Sequence, residues 1–213
     1  MTTQYGAGSD GPRLRVAVGA TADYLQSSYL GLRDDRGSSE AKAALAQLRR
    51  NASLSASDNP VGVQETLLLL NPGLSEGELG KGNQVSPSEW AAYQAMALFA
   101  RHMQSARNPV HTTEQSFAWA CGRLVALSES NSVKPRFDAM QLAATPEARA
   151  THLRSLVDLL KSKGLAFDYG ALAQDLRSLI NPTQKNGVLL RWGRDFSRGV
   201  SFKQHADTTA KEI

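Results

Sequence analysis

Apolar residues recur at steps of three and four along almost the whole chain, which is the spacing of one helical face. Leu14, Val18, Ala22, Leu25, Tyr29 and Leu32 form the first such stripe, and it ends near residues 31–34. Ser38 or Ser39 caps a second helix in which Ala41, Ala44, Leu45 and Leu48 face inward. Lys42 and Arg49 share its other face, with Arg50 on the flank. Asn59 and Pro60 supply a cap and a first-turn proline for a third helix. That helix ends in the leucine run 67–70, expected to be buried. Residues 71–85 carry four glycines and no apolar period, which predicts a flexible loop.

The helical pattern then resumes. Ser86, Pro87 and Glu89 form a capping box ahead of a long helix bearing Trp90, Tyr93, Met96, Ala97, Ala100 and Met103, stopped by Asn108-Pro109. Thr112 and Gln115 suggest a second capping box for a helix with Phe117, Ala120, Cys121, Leu124 and Leu127. A shorter helix follows over about 135–143. Thr145-Pro146-Glu147 opens a helix with Leu153, Leu156, Val157 and Leu160 inward, closed by Gly164. Asp168 caps the next, which carries Tyr169, Leu172, Leu176 and Leu179 and is stopped by Asn181-Pro182. The last helix is expected over about 187–198. No alternating strand pair and no fixed-period repeat is found. The predicted class is all-α: two packed helical bundles of about eight or nine helices. The expected division is a disordered N-terminus (1–12), an N-terminal bundle (13–108), a C-terminal bundle (109–203) and a polar tail (204–213).

Two hundred and thirteen residues with 41% hydrophobic and 21% charged side chains describe a folded protein with a real core. No apolar stretch approaches the roughly 20 residues a bilayer requires, and no signal peptide opens the chain. With a single cysteine, Cys121, no internal disulfide forms. The expected location is the cytoplasm. Net charge is +4, a mild bias toward a polyanionic partner. Residues 177–203 hold Arg177, Lys185, Arg191, Arg194, Arg198 and Lys203 against Asp195, a local net charge of +5.

No catalytic or metal constellation stands out. His102, His111, His152 and His205 fall on separate elements without zinc-site spacing and read as isolated surface histidines. Around Gly80-Lys81 the residues Ser75 and Gly82 stand where a phosphate loop needs glycine and a hydroxyl. Cys121 lies on an apolar face and reads as a small core residue. Asp34, Asp35 and Asp195 are too few for a two-metal nuclease. No enzyme activity and no cofactor are expected.

The informative segment is 189–198. At 100° per residue Arg191, Arg194 and Arg198 fall within about 60° of one another, while Leu189, Trp192 and Phe196 gather on another side. Such an arginine stripe binds phosphates by counterion release without reading sequence. On spacing alone the solvated face of an ordinary amphipathic helix is the stronger reading. Trp192 reads as a core anchor, with base stacking as the other possibility. Lys42, Arg49 and Arg50 form a smaller basic edge, and Lys161 with Lys163 a third.

The segments Asp168-Tyr169-x-x-Leu172-x-x-Asp175-Leu176 and Leu190-Arg191-Trp192-Gly193-Arg194-Asp195-Phe196 resemble the CasB family, the small subunit of the type I-E CRISPR Cascade complex. Ala44 to Arg50, Ser116 to Leu124 and His152 to Leu156 agree in order. The resemblance runs from about Ala22 to Phe196 and does not include the glycine-rich loop. It implies an all-helical, non-catalytic subunit whose basic surfaces stabilise the R-loop during RNA-guided DNA recognition. Implied partners are single-stranded DNA of the R-loop, the backbone and large subunits of Cascade, a second copy of the chain, and guide RNA. By match to the family motif, Arg49, Arg50, Arg191 and Arg194 are expected strand contacts. Arg198, Lys42, Arg154, Lys161 and Lys163 join them from the charge pattern. The alternatives are a helical transcription regulator with its last helix in the major groove, and a spacer that touches only protein.

Overall fold

The computed structural model describes residues 13–33, 37–128 and 132–209. Within them the chain forms nine α-helices: α1 (Leu14–Tyr29), α2 (Ser39–Asn51), α3 (Pro60–Leu69), α4 (Pro87–His102), α5 (Phe117–Leu127), α6 (Val133–Leu142), α7 (Pro146–Ser162), α8 (Tyr169–Ile180) and α9 (Pro182–Thr209). The only extended pairing among these residues is an isolated parallel bridge between His111 and Phe167. The residues expected to be a disordered N-terminus, and Asp34 and Asp35, lie outside the described residues. No described helix is long and apolar enough to cross a membrane.

α4 is the central helix because it is apolar on every side: each residue from Trp90 to Ala100 is buried. α2, α3, α7 and α8 pack around it, α1 lies on α8, and α5 pairs with α9. The α5–α9 pair is the tightest crossing. A Cβ on Gly122 would overlap the Phe196 carbonyl, and one on Gly199 would overlap that of Trp119, so the two backbones meet where neither helix has a side chain. Aromatic rings fill the space beside it. Phe117 lies 5.2 Å from Phe167 and 5.8 Å from Trp192, and Phe137 stacks on Phe196 at 4.6 Å.

Most caps fall where expected. Ser38, Asn59, Ser86, Thr145 and Asp168 each accept a first-turn N–H through the side chain, and Ser86 with Glu89 completes a capping box. Three expectations are corrected. The cap of α5 is Ser116, whose hydroxyl accepts from Trp119 N–H, rather than Thr112; residues 111–112 are drawn into extended pairing with Phe167 instead. Of the leucine run only Leu70 is buried and Leu68 is 78% exposed: Leu67, Leu68 and Leu69 point about 100° apart in the last turn of α3 and cannot share one face, and Leu70, its C-cap, turns extended. Finally, α9 begins at Pro182, not near Gly187, and continues to Thr209. Asn181 ends α8 and also starts α9: its Oδ1 accepts from the N–H and the hydroxyl of Thr183, and Pro182 occupies the first turn.

The glycine-rich loop has a definite anchor. Glu78 is buried and accepts the backbone N–H groups of Arg13 (2.8 Å), Leu14 (3.1 Å) and Ser75 (3.2 Å). Its carboxylate therefore caps α1 from 64 residues away and sits at the positive end of that helix's dipole.

Candidate nucleic-acid interface

The two faces of α9 are separated by its sequence. Val188, Trp192 and Phe196, four residues apart, are buried, whereas Arg191, Arg194 and Arg198 are exposed. Trp192 is 1% exposed, between Phe117 and Phe137, and its indole N–H donates to Asp175 Oδ2 at 2.5 Å. This is core anchoring and leaves no ring face for a base. The other oxygen of Asp175 accepts from Arg191. Burial raises the Asp175 carboxyl above its ordinary range, opposed by the charge of Arg191 and by the hydrogen bonds from Trp192 and Arg191.

The three arginines of the stripe are thus not equivalent. Arg191 is tied to a buried carboxylate, and Arg198 pairs with Asp195 at 3.1 Å. Asp195 also accepts from the Ser116 hydroxyl at 2.9 Å, which links the stripe to the start of α5. Arg194 is exposed and makes no ion pair among the described residues. The fold adds Arg15, which pairs with Asp168 at 2.9 Å and lines a surface cavity of about 320 Å³ together with Arg198. Arg15 sits beside the apolar stripe of α1, and only the packing of α1 on α8 brings it to this face.

A second basic surface forms where α2, α4 and α7 meet. Arg154 of α7 donates to the carbonyl of Ala52, the residue that ends α2, at 2.8 Å. Lys161 lies close enough to Arg49 and Arg101 to feel both charges. Partial burial lowers its ammonium pKa, Asp158 opposes this, and the two arginines lower it further. Arg101 grips Asp158 with two 2.7 Å hydrogen bonds. Its place in the last turn of α4 gave it no distinction from any cation at a helix C-terminus. Arg50 and Lys42 are exposed on α2, Lys42 nearly two turns before Arg49, and Lys163 is the exposed C-cap of α7. The fold therefore unites Arg49, Arg154 and Lys161 and keeps the stripe of α9 on a separate pairing of helices.

The histidines correct another expectation. His102 and His111 are buried rather than on the surface, 1% and 5% exposed. His102 Nδ1 lies 3.0 Å from the Tyr169 hydroxyl and its ring stacks on Phe167 at 5.7 Å. Burial, with Lys161 adding to it, lowers its pKa to about 4. Both rings sit in the core because their partners come from residues 167–169, more than 50 positions away. The surroundings of His205 lie outside the described part of the chain. Burial pushes the Cys121 thiol well above its ordinary range, away from the thiolate. Among the described residues no group of His, Cys, Asp or Glu could hold a metal ion.

The model of the family described as CRISPR-associated protein Cse2 matches residues 44–196. CasB from Thermobifida fusca has a similar structure, 27% identical, with a TM-score of 0.70 over 86% of this chain and 97% of that one. A Cse2-family CRISPR-associated protein from Thermus thermophilus is 23% identical, with a TM-score of 0.57 over 82% and 96%, and shares the fold. No curated protein sequence matches. An all-helical chain with its Trp192 anchor and the stripe residues Arg191 and Arg194 inside the matched span thus belongs to the Cse2 family of CRISPR-associated proteins.

Proposed function

We propose that this chain is the non-catalytic small subunit of a type I-E Cascade complex, and that its two basic surfaces hold strand backbone and stabilise the R-loop. The observation that carries this reading is the exposed arginine stripe of α9, mounted on a buried Trp192 and Asp175, in a member of a CRISPR-associated family. Replacing duplex DNA by RNA–DNA heteroduplex is nearly balanced in free energy, so modest backbone contacts decide its lifetime. Arg194, Arg198 and Arg15 supply one group of cations, and Arg49, Arg50, Arg154 and Lys161 the other. Lys42 and Lys163 extend the second group, and Arg191 orders the first. The partners in this reading are single-stranded DNA of the R-loop, guide RNA, the backbone and large Cascade subunits, and a second copy of the chain, all in the cytoplasm.

A few cations bind weakly at physiological salt, so the contacts act when assembly supplies a high local concentration. The isolated chain is expected to bind DNA loosely and without sequence preference. Within the complex, its omission is expected to shorten R-loop lifetime more than it slows R-loop formation, because guide pairing and the flanking signal are read elsewhere. Formation and dissociation rates measured with and without the subunit test this. Equal dissociation rates would overturn the reading.

A further inference from the structure

A cavity of about 660 Å³ opens between α1 and the segment leading into α5, beside the start of α8. Val16, Ala20 and Pro109 form its apolar side, and Arg15, Asp23 and His111 supply polar groups. Two independent observations mark it as a built site. The first is His111, 5% exposed. The backbone N–H of Tyr169 donates to its Nδ1 at 3.2 Å, which places the ring proton on Nε2. The Phe167 carbonyl lies 3.4 Å from the same Nδ1 and also takes Thr112 N–H at 3.3 Å; the shorter contact at Nδ1 is the one from Tyr169 N–H, which needs the nitrogen's lone pair. No described residue accepts from Nε2–H. Unlike the sealed Nε2 of His102, it reaches the cavity beside Gly19.

The second observation is Gly19 itself. Glycine weakens a helix interior relative to alanine, and here no crowding requires it. The nearest atoms to a Cβ at this position are Gly170 Cα and His111 Nε2, both at an ordinary 3.8 Å. Gly122 and Gly199, by contrast, are forced by backbone contact. What a methyl group at Gly19 would do is cover the imidazole donor.

The occupant follows from the polar groups. A neutral imidazole N–H seeks an acceptor, and the apolar side suits a flat uncharged ring; Asp23, which takes the Gln26 amide at 3.4 Å and lies 4.0 Å from Arg33, keeps lone pairs for a further donor. Arg15 is paired with Asp168 and Asp23 with Arg33, so the cavity offers no uncompensated cation to a phosphate. We propose that this cavity holds a nucleobase, with a ring carbonyl on His111 Nε2–H and an exocyclic amino group toward Asp23. Arg15 also lines the neighbouring cavity that contains Arg198, so a strand held by the stripe passes its mouth. The source of the base, but not the pocket, rests on the strand-binding reading.

Gly19→Ala tests the pocket without removing a core contact. Cytidine titrated into the wild-type chain should shift the His111 ring nitrogens saturably, with the resting spectrum showing the Nε2–H tautomer, and Gly19→Ala should abolish the shift. For a base carried by a strand, wild type should bind an oligo-dC about tenfold more tightly than an abasic strand of equal length and charge. Gly19→Ala should lose that preference with an unchanged salt slope and melting temperature. A cytidine response with no strand preference would assign the pocket to free nucleoside. No cytidine response, the Nδ1–H tautomer, or an unaltered response in folded Gly19→Ala would overturn the proposal. Loss of strand binding in the arginine variants bears only on the strand-binding reading.

Discussion

At Asp175 the two faces of α9 are joined, since one carboxylate takes both the Trp192 indole and the Arg191 guanidinium. Removing Arg191 leaves that buried charge with one fewer partner, whereas removing Arg194 disturbs no ion pair. Arg194→Ala is therefore expected to lower the slope of log affinity for single-stranded DNA against log salt by about 0.7, with unchanged melting. Arg191→Ala is expected to lower the melting temperature as well. Melting curves and salt titrations of the two variants separate these outcomes, and equal melting for both would contradict the role of Asp175. Trp192→Ala is expected to cost on the order of 3 to 5 kcal/mol in denaturant unfolding. The anchoring role of Trp192 was legible from its spacing with Phe196. The pairing of Arg191 was not, because Asp175 lies on α8 and nothing in the period of α9 points to it.

Among the helices, the α5–α9 crossing shows where local signals suffice and where they fail. The apolar faces of both helices follow from three- and four-residue spacing, and so do the caps at Ser38, Asn59, Ser86, Thr145 and Asp168. Which helices meet does not follow, because Gly122 and Gly199 look like two ordinary glycines until their backbones touch. The same limit hid the Asn181-Pro182 junction, where one dipeptide ends a helix and begins another. It also hid the basic group of Arg49, Arg154 and Lys161, assembled from two helices about 100 residues apart. In an exposed helix, glycine to alanine gains up to about 1 kcal/mol. At Gly122 the new methyl would collide with the backbone of α9, so Gly122→Ala is expected to lower stability by about 1 to 3 kcal/mol, the range for overpacking. Thermal unfolding of Gly122→Ala beside Gly187→Ala, where nothing lies within 4 Å, checks the sign at each site.

For the molecule as a whole, the buried titratable groups set how it responds to acid, and they do so in sequence. His102 keeps a pKa of about 4 when folded, against about 6.5 for an exposed histidine. Between these values the unfolded chain binds the proton and the folded chain does not, so stability is lost as pH falls through this window. The difference amounts to roughly 3 kcal/mol for His102 alone. His111, lowered by burial despite Asp168, acts in the same direction. Glu78 acts next: burial raises its pKa, but the N–H groups of Arg13, Ser75 and Leu14 outweigh burial and hold it below 4.5. Its contribution is present above that value and lost as pH falls through the folded pKa, when the cap of α1 is protonated. Asp175, raised by burial, works the opposite way and offsets part of the loss. Unfolding free energy is therefore expected to decline from about pH 6.5 downward, before carboxylates titrate. His102→Phe, which keeps a ring against Phe167, should be less stable than wild type at pH 7 through its lost contact with Tyr169. The gap should narrow by roughly 3 kcal/mol by pH 4, or reverse, and denaturant unfolding at several pH values measures it. A gap independent of pH would show that His102 is not the neutral, buried imidazole on which the chain's acid response depends.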